Sequence, residues 1–292
     1  MSERIQSMKI AITGASGFVG RRVMETLTDY EFRAVSLRGD VRPEDFAGCE
    51  AVIHLAGEPV AQRWSSEARE RIRASRIDGT RKLVAALKPN PPVTLISASA
   101  IGYYGPRGDE ILTETSRPGN DFLAEIAEGW EREARAAESF GVRVVRLRIG
   151  VVLGRGGGAL EKMLPPFRLG IGGRIGSGKQ WMSWIHVDDL VSLIGFAVGN
   201  SSLIGAVNAS APAPVTNAEF TRELAGALHR PAIFPVPEIA LRLMFGEMSQ
   251  MILGSQRVVP EAALRAGFSF RYPDISAAFR DLFRKEDAEN PL

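Results

Sequence analysis

The run Thr13-Gly14-Ala15-Ser16-Gly17-Phe18-Val19-Gly20 constrains this chain more than any other segment. It follows the apolar stretch Ile10-Ala11-Ile12 and precedes a helical pattern that starts at Arg21. Strand, glycine turn and helix in that order are what a dinucleotide-binding unit requires. Gly14 permits the tight turn. Gly17 lets the backbone approach a pyrophosphate, and Gly20 lets the helix pack closely on the strand. The helix N-terminus adds N–H donors and the positive end of its dipole.

The rest of the chain fits an α/β protein. Its 292 residues, 45% hydrophobic and 24% charged, can bury a sizeable core. A net charge of +2 gives no general attraction to nucleic acid or to a membrane surface. The single Cys49 excludes an intrachain disulfide and a multi-cysteine metal site. His54, His186 and His229 lack ligand-like spacing, so no metal is expected. No apolar stretch reaches the roughly 18 residues of a membrane span. Residues 1–7 are polar, without the apolar region of a signal peptide, and Met8 is an alternative start; the expected compartment is the cytoplasm.

Alternating periodicity predicts strands at 9–13, 32–37, 51–56, 93–97 and 142–147, with helices at 21–28, 66–87 and 122–139. This alternation predicts a doubly wound parallel sheet. Only residues 38–50 separate the second strand from the third, which is too short for a crossover helix and a further strand. The usual second crossover helix is therefore expected to be missing, with an edge strand shortened or absent. Residues 154–178 are rich in glycine and read as a loop excursion. Residues 184–198 read as a strand-like entry and a helix. Short helices between prolines are expected at 217–228, 238–244 and 275–282. The expected division is a nucleotide-binding domain over 8–153, continued by about 183–210. A smaller substrate-side domain takes 154–182 and 211–284, and 285–292 is a flexible tail.

Cofactor choice is written after the second strand, where an NAD-preferring site places an acidic residue on the ribose 2′-OH. Here the chain reads Val35-Ser36-Leu37-Arg38-Gly39. Arg38 can neutralise and donate to a 2′-phosphate, with Ser36 adding a hydrogen bond, which predicts NADP. Asp40 carries the competing NAD reading, and a solvated Arg38 is the bland one.

The glycine run, Val52-Ile53-His54-Leu55-Ala56-Gly57, Asp78-Gly79-Thr80, residues 97–105 and Trp184-Ile185-His186-Val187-Asp188-Asp189-Leu190 together resemble the extended short-chain dehydrogenase/reductases. These are the nucleotide-sugar epimerases and dehydratases. A narrower resemblance covers nearly the whole chain through residues 54–60, 172–181 and 207–215. It points to an "epimerase family protein" subfamily, short-chain dehydrogenase/reductase family 39U-like, whose C-terminal domain, matching 231–282, is uncharacterised. The resemblance implies the extended Rossmann fold with a smaller C-terminal substrate domain. It implies a cofactor path over Gly14, Ser16, Gly17, Phe18, Val19 and Gly20, then Ser36 and Arg38. The path continues over Leu55, Ala56, Gly57, Glu58 and Arg76, and over Ser97 and Ala98.

Such reductases hold a Ser or Thr after the strand that ends near residue 97, and a Tyr-x-x-x-Lys on the next helix. Ser99 matches the first and is expected to polarise the substrate; a strand-end serine bonding its own loop is the alternative. The helix departs from the family, because Leu123 and Ala127 fall at the Tyr and Lys positions. Replacement acid/base candidates are Tyr103 or Tyr104, Glu125 and Glu58, with Arg76 or Lys179 as the cation a tyrosine would need. Packing in a turn is the bland reading of both tyrosines. Lys179 and Trp181 are expected on a substrate wall or in a linker, and Arg257 on a diphosphate or paired with Glu261. Asp188 or Asp189 is expected to cap the late helix, and His54 and His186 to be structural. The expected function is an NADP-dependent oxidoreductase or epimerase-like enzyme on a small polar substrate, a nucleotide sugar being the family's example. The alternative is an NADP-binding sensor or regulator that has lost the Tyr/Lys pair; some relatives carry cell-division-related labels. The expected partner is a small molecule, with neither nucleic acid nor membrane, and a homodimer is an open assembly.

Overall fold

The computed structural model describes residues 7–284. The expected tail at 285–292 and most of the polar start lie outside the described residues. In chain order the elements are β1 (Lys9–Thr13), α1 (Phe18–Thr26), β2 (Glu31–Val35), β3 (Ala51–His54), α2 (Ser66–Leu87), β4 (Thr94–Ala100), β5 (Ile111–Leu112), α3 (Phe122–Arg135), β6 (Arg143–Ile149) and β7 (Val151–Leu153). They continue with α4 (Gly158–Arg168), β8 (Trp181–Met182), β9 (Trp184–His186), α5 (Val187–Gly199), β10 (Gly205–Ala209), β11 (Val215–Thr216) and α6 (Asn217–Ala227). The last are α7 (Glu238–Phe245), α8 (Ser249–Leu253), β12 (Arg257–Val258), α9 (Glu261–Arg265) and α10 (Ile275–Phe283).

Six strands form one parallel sheet in the order β10-β6-β4-β3-β1-β2. Alternation along each strand sends side chains to two cores. Ile10, Ile12, Ile53, Ile96, Val145 and Leu147 face α1 and α5, where Val23, Leu190 and Ile194 meet them. Ala11, Val52, Leu95 and Val144 face α2 and α3, where Leu83, Leu87 and Ala134 meet them. Helices on both faces account for the near-continuous apolar strands. A third core joins Leu160, Leu164 and Phe167 of α4 to α6 and α10 around the fully buried Trp184. Ala263 of α9 and Phe268 pack on the first core, so part of the C-terminal stretch lies on the sheet.

The short β2–β3 connection behaves as its length requires. Its helical content is one 3-10 turn, Pro43–Phe46, with Phe46 buried, and β2 is one of the two edge strands among the described residues. The reading of 154–178 as loop needs correction, because α4 occupies part of it. Leu160, Leu164 and Phe167 recur at helical spacing and are buried. Pro165 and Pro166 hide that pattern in the sequence. Each removes one intrahelical N–H, but the apolar face still anchors the helix.

Candidate functional site

The glycine run folds as the strand–turn–helix arrangement predicts. Gly14 has φ +74°, and a Cβ there would stand 2.7 Å from the Leu55 carbonyl carbon. A Cβ on Gly20 would stand 2.2 Å from the Gly14 carbonyl oxygen, so only glycine lets α1 come this close to the turn. Gly17 is the N-cap of α1, and no side chain caps it or places an acid in the first turn. The first amides of α1 and its dipole therefore face outward at the end of β1, a fit for phosphate. Ser16 and Gly17 are exposed beside them.

Adjacent strand ends complete the cradle. Beyond β2, Ser36 and Arg38 are exposed, and the Arg38 amide donates to Ser36 Oγ at 3.2 Å. Beyond β3, the Leu55 amide donates to the Thr13 carbonyl, and Ala56, Gly57 and Glu58 follow. Arg76 of α2 holds this loop. Its Nη1 donates to the Glu58 carbonyl at 2.9 Å, and the Glu58 amide donates to Ser75 Oγ at 3.0 Å. Burial pulls the Arg76 guanidinium down to about 10, which leaves it charged at neutral pH. β2 and β3 lie on opposite sides of β1, so the cradle stands at the point where strand order reverses. Ser97 and Ala98 are buried within β4, beneath the surface of this crevice.

His54 ties together the elements below the cradle. Its Nδ1 lies 2.7 Å from Thr13 Oγ1 and its Nε2 2.8 Å from Thr80 Oγ1. The ring is fully buried, which pushes its pKa down to about 4, with Arg76 acting in the same direction. A neutral imidazole thus pins β1, β3 and α2 together.

A cavity of about 570 Å³ opens from the cradle. Phe18 and Val19 line one end of it. The walls are Val60 and Trp64 after β3, Ile101 and Gly102 after β4, and Phe122, Leu123, Ile126, Ala127 and Trp130 along α3. Leu123 and Ala127, at the family's Tyr and Lys positions, do face the cavity. Both positions carry hydrocarbon side chains, which transfer no proton.

The replacement candidates are used elsewhere. Ser99 is 3% exposed and donates to Glu131 Oε1 at 2.8 Å. Glu131, on the inner side of α3, also accepts from Arg148 at 2.7 and 3.0 Å and from Arg146 at 3.2 Å. Tyr104 is fully buried; it donates to Asn208 Oδ1 at 2.6 Å and accepts from Arg148 Nη1 at 2.9 Å. Burial pushes its phenol up to about 12 against the pull of Arg148, the wrong direction for a proton donor near neutrality. The Tyr103 ring lies under the Arg148 guanidinium at 3.5 Å. None of the three lines the cavity, and the cation beside the tyrosines is Arg148, not Arg76 or Lys179. Glu125 is exposed, and Glu58 is held by Gln62 at 3.2 Å and faces Arg71 at 3.6 Å. This buried polar cluster escaped the sequence reading. Its signal is Arg146 and Arg148 alternating with apolar residues in β6, a strand that also begins on Arg143.

The expected substrate residues also lie off the cavity wall. Arg257 stacks on Trp181 at 4.2 Å, and Trp181 Nε1 donates to Asp109 at 2.8 Å. Glu261 faces Arg265, not Arg257. Lys179 is exposed in a turn. The cap of α5 is His186, whose Nδ1 accepts the Asp188 amide at 3.1 Å. Asp188 pairs with Arg22, and Asp189 accepts the Arg271 and Tyr272 amides at 2.8 and 2.9 Å. His186, Asp188 and Asp281 converge within metal-ligand distance. However, an Nδ1 that accepts an N–H leaves the ring proton on Nε2, and Arg22 already holds Asp188, so the donor set does not suit a cation.

Comparison with known proteins places this geometry. Residues 10–208 match the NAD dependent epimerase/dehydratase family, and residues 236–282 match a domain of unknown function, DUF1731. An epimerase family protein SDR39U1 homolog of Arabidopsis thaliana is 40% identical, over 97% of this chain and 89% of its own length. The mouse SDR39U1 epimerase family protein is 38% identical over 94% of this chain and 99% of its own length. The crystal structure of human SDR39U1 (isoform 2) with NADPH superposes with a TM-score of 0.86 at 32% identity, covering 95% of this chain and 99% of that one. MoeE5 in complex with UDP-glucuronic acid and NAD, at 18% identity and a TM-score of 0.77, shares the fold.

Proposed function

The chain belongs to the NAD dependent epimerase/dehydratase family, beside the SDR39U1 epimerase family proteins, and from that premise we propose an NADP(H)-dependent oxidoreductase acting on a small molecule in the cavity. One observation carries the reading. Phe18 and Val19 open α1 at its uncapped N-terminus and also line the cavity, so phosphate cradle and substrate space are continuous. When bound, the dinucleotide supplies a hydride donor or acceptor at its nicotinamide.

The chain's own residues bind, orient and exclude water. The α1 amides and Gly17 take the pyrophosphate, and Ser36 and Arg38 take a 2′-phosphate. That the human relative was crystallised with NADPH supports the second assignment. Arg76 fixes the loop after β3, and α3 presents an apolar wall. Leu123 and Ala127 move no proton, so the proton exchanged with the substrate oxygen enters from another side of the cavity.

NADPH should bind more tightly than NADH by about 1–3 kcal/mol, the strength of a charge-assisted phosphate contact, and Arg38→Ala should remove most of the difference. Calorimetric titration of both cofactors against both proteins is the measurement. Equal affinities in the wild type would overturn the NADP assignment. The apolar substitution on α3 favours a second reading, a nucleotide-binding sensor. That reading expects tight NADPH binding without NADPH consumption on any aldehyde or ketone.

A further inference from the structure

We infer that the substrate of this cavity is an uncharged, apolar, ring-sized compound with a single carbonyl, in place of a nucleotide sugar. The inference rests on the oxidoreductase reading and specifies its substrate class.

A nucleotide sugar brings a diphosphate, and a diphosphate removed from water needs cations and N–H donors around it. Among the described residues that line the cavity, the only cation is Arg76. Its Nη1 is committed to the Glu58 and Ile72 carbonyls, and the guanidinium lies over the Trp130 ring at 5.2 Å. The only carboxylate is Asp121, which caps α3 by accepting the Ala124 amide at 2.9 Å. Arg257, which the family pattern would place on a diphosphate, is stacked on Trp181 outside the lining. A diphosphate would meet hydrocarbon where it needs charge.

The walls instead match an aromatic or branched aliphatic body. Trp64 and Phe122 meet edge to face at 5.1 Å, and Leu123, Ile126 and Trp130 continue the surface along α3. Such a lining gains free energy from the apolar surface it covers, and the aromatic walls offer stacked or edge-to-face contacts to a ring. Besides the indole N–H groups of Trp64, which donates to the Val60 carbonyl, and of Trp130, which is buried without a partner, the neutral polar side chains of the lining are Gln250 and Gln256. Gln256 Nε2 is committed to the Ile101 and Gly105 carbonyls at 3.1 and 3.2 Å. Gln250, exposed at the mouth on α8, offers an amide donor to one carbonyl oxygen. The mouth itself is apolar: Met251 lines it at 42% exposure, and α7 beside it presents Ile239, Leu243 and Met244 to solvent.

The test uses the full chain loaded with NADP+, which has no hydride to donate to an aldehyde, and two probes, 2-naphthaldehyde and UDP-glucose. Calorimetry should give a dissociation constant for 2-naphthaldehyde at least 100-fold below that for UDP-glucose. Leu123→Asp, which puts a charge in the wall, should weaken 2-naphthaldehyde at least tenfold while NADPH affinity stays within about twofold. Trp64→Ala, at the half-buried mouth, should weaken it in the same direction and covers the case in which Leu123→Asp does not fold. UDP-glucose binding as tightly as 2-naphthaldehyde, absence of 2-naphthaldehyde binding, or indifference of that binding to the folded variants would each overturn the inference. Failure of NADPH to bind the wild type would instead overturn the oxidoreductase reading, and 2-naphthaldehyde titrated into the cofactor-free chain still reads the cavity.

Discussion

At the residue scale the informative departures are polar groups inside the molecule. Ser99 stands where a substrate-polarising hydroxyl is expected, yet its partner is Glu131, 32 residues away on α3. A strand-end serine is visible in a sequence; a carboxylate reaching it from the next helix is not. Glu131 is 4% exposed and neutralises Arg148, whose pKa it raises even though burial alone would lower it. Removing that carboxylate would leave the buried Arg148 and the half-buried Arg146 without their shared counter-charge. Glu131→Ala should therefore lower the unfolding free energy by about 3–5 kcal/mol, read by urea denaturation. His54 gives a pH signature. Its folded pKa is about 4, below the ordinary 6.5. Above pH 6.5 neither state is charged at this ring and no penalty arises. As pH falls from 6.5 to 4, the unfolded chain takes up a proton that the folded chain refuses, so stability drops by about 3 kcal/mol. His54→Gln, which keeps a donor and an acceptor for Thr13 and Thr80 but does not titrate, should flatten that part of the pH profile. An unchanged acid loss in the variant would place its origin in other groups.

At the element scale, legibility followed how local the determining pattern is. α2 was readable to the residue, because its Ser65 cap and its apolar positions are all written within the helix. The sequence pattern places the start of α1 three residues late, at Arg21, since Phe18, Val19 and Gly20 look like the end of a glycine loop until Gly17 is seen as the cap. The two glycines there separate fold from binding. A Cβ at Gly20 collides with the Gly14 carbonyl at 2.2 Å, whereas at Gly17 the same atom stands 3.1 Å off and φ is −72°, which any residue adopts. Gly20→Ala should thus cost stability, about 1–3 kcal/mol as an overpacked contact, and distort the cradle as well. Gly17→Val should leave the fold nearly intact and weaken NADPH at least tenfold, because its side chain stands between the amides and the pyrophosphate. Paired denaturation and NADPH titrations distinguish the two. A Gly17→Val protein that binds NADPH like the wild type would reduce the glycine run to a structural turn.

At the scale of the whole molecule, the parallel sheet was foreseeable from alternation, and the missing crossover from arithmetic, since thirteen residues cannot hold a helix and a strand with their turns. The third core was less legible, because it is assembled from α4, α6 and α10, three helices more than a hundred residues apart at their extremes. What couples it to the sheet is visible in the structure. Asp189 sits in the first turn of α5, whose apolar face packs on the sheet, and its carboxylate accepts the backbone amides of Arg271 and Tyr272 just before α10. Burial raises its pKa while those two amides pull it down, as expected of a carboxylate enclosed between two packed units. Removing it would leave two amides to find other partners and would free the entry to α10. Asp189→Ala should speed amide hydrogen exchange across residues 272–283 by at least tenfold, while β1, β3 and β4 keep their protection. Acceleration spread evenly over sheet and helix would mean that the sheet and the third core open as one cooperative unit, with Asp189 an ordinary contact within it.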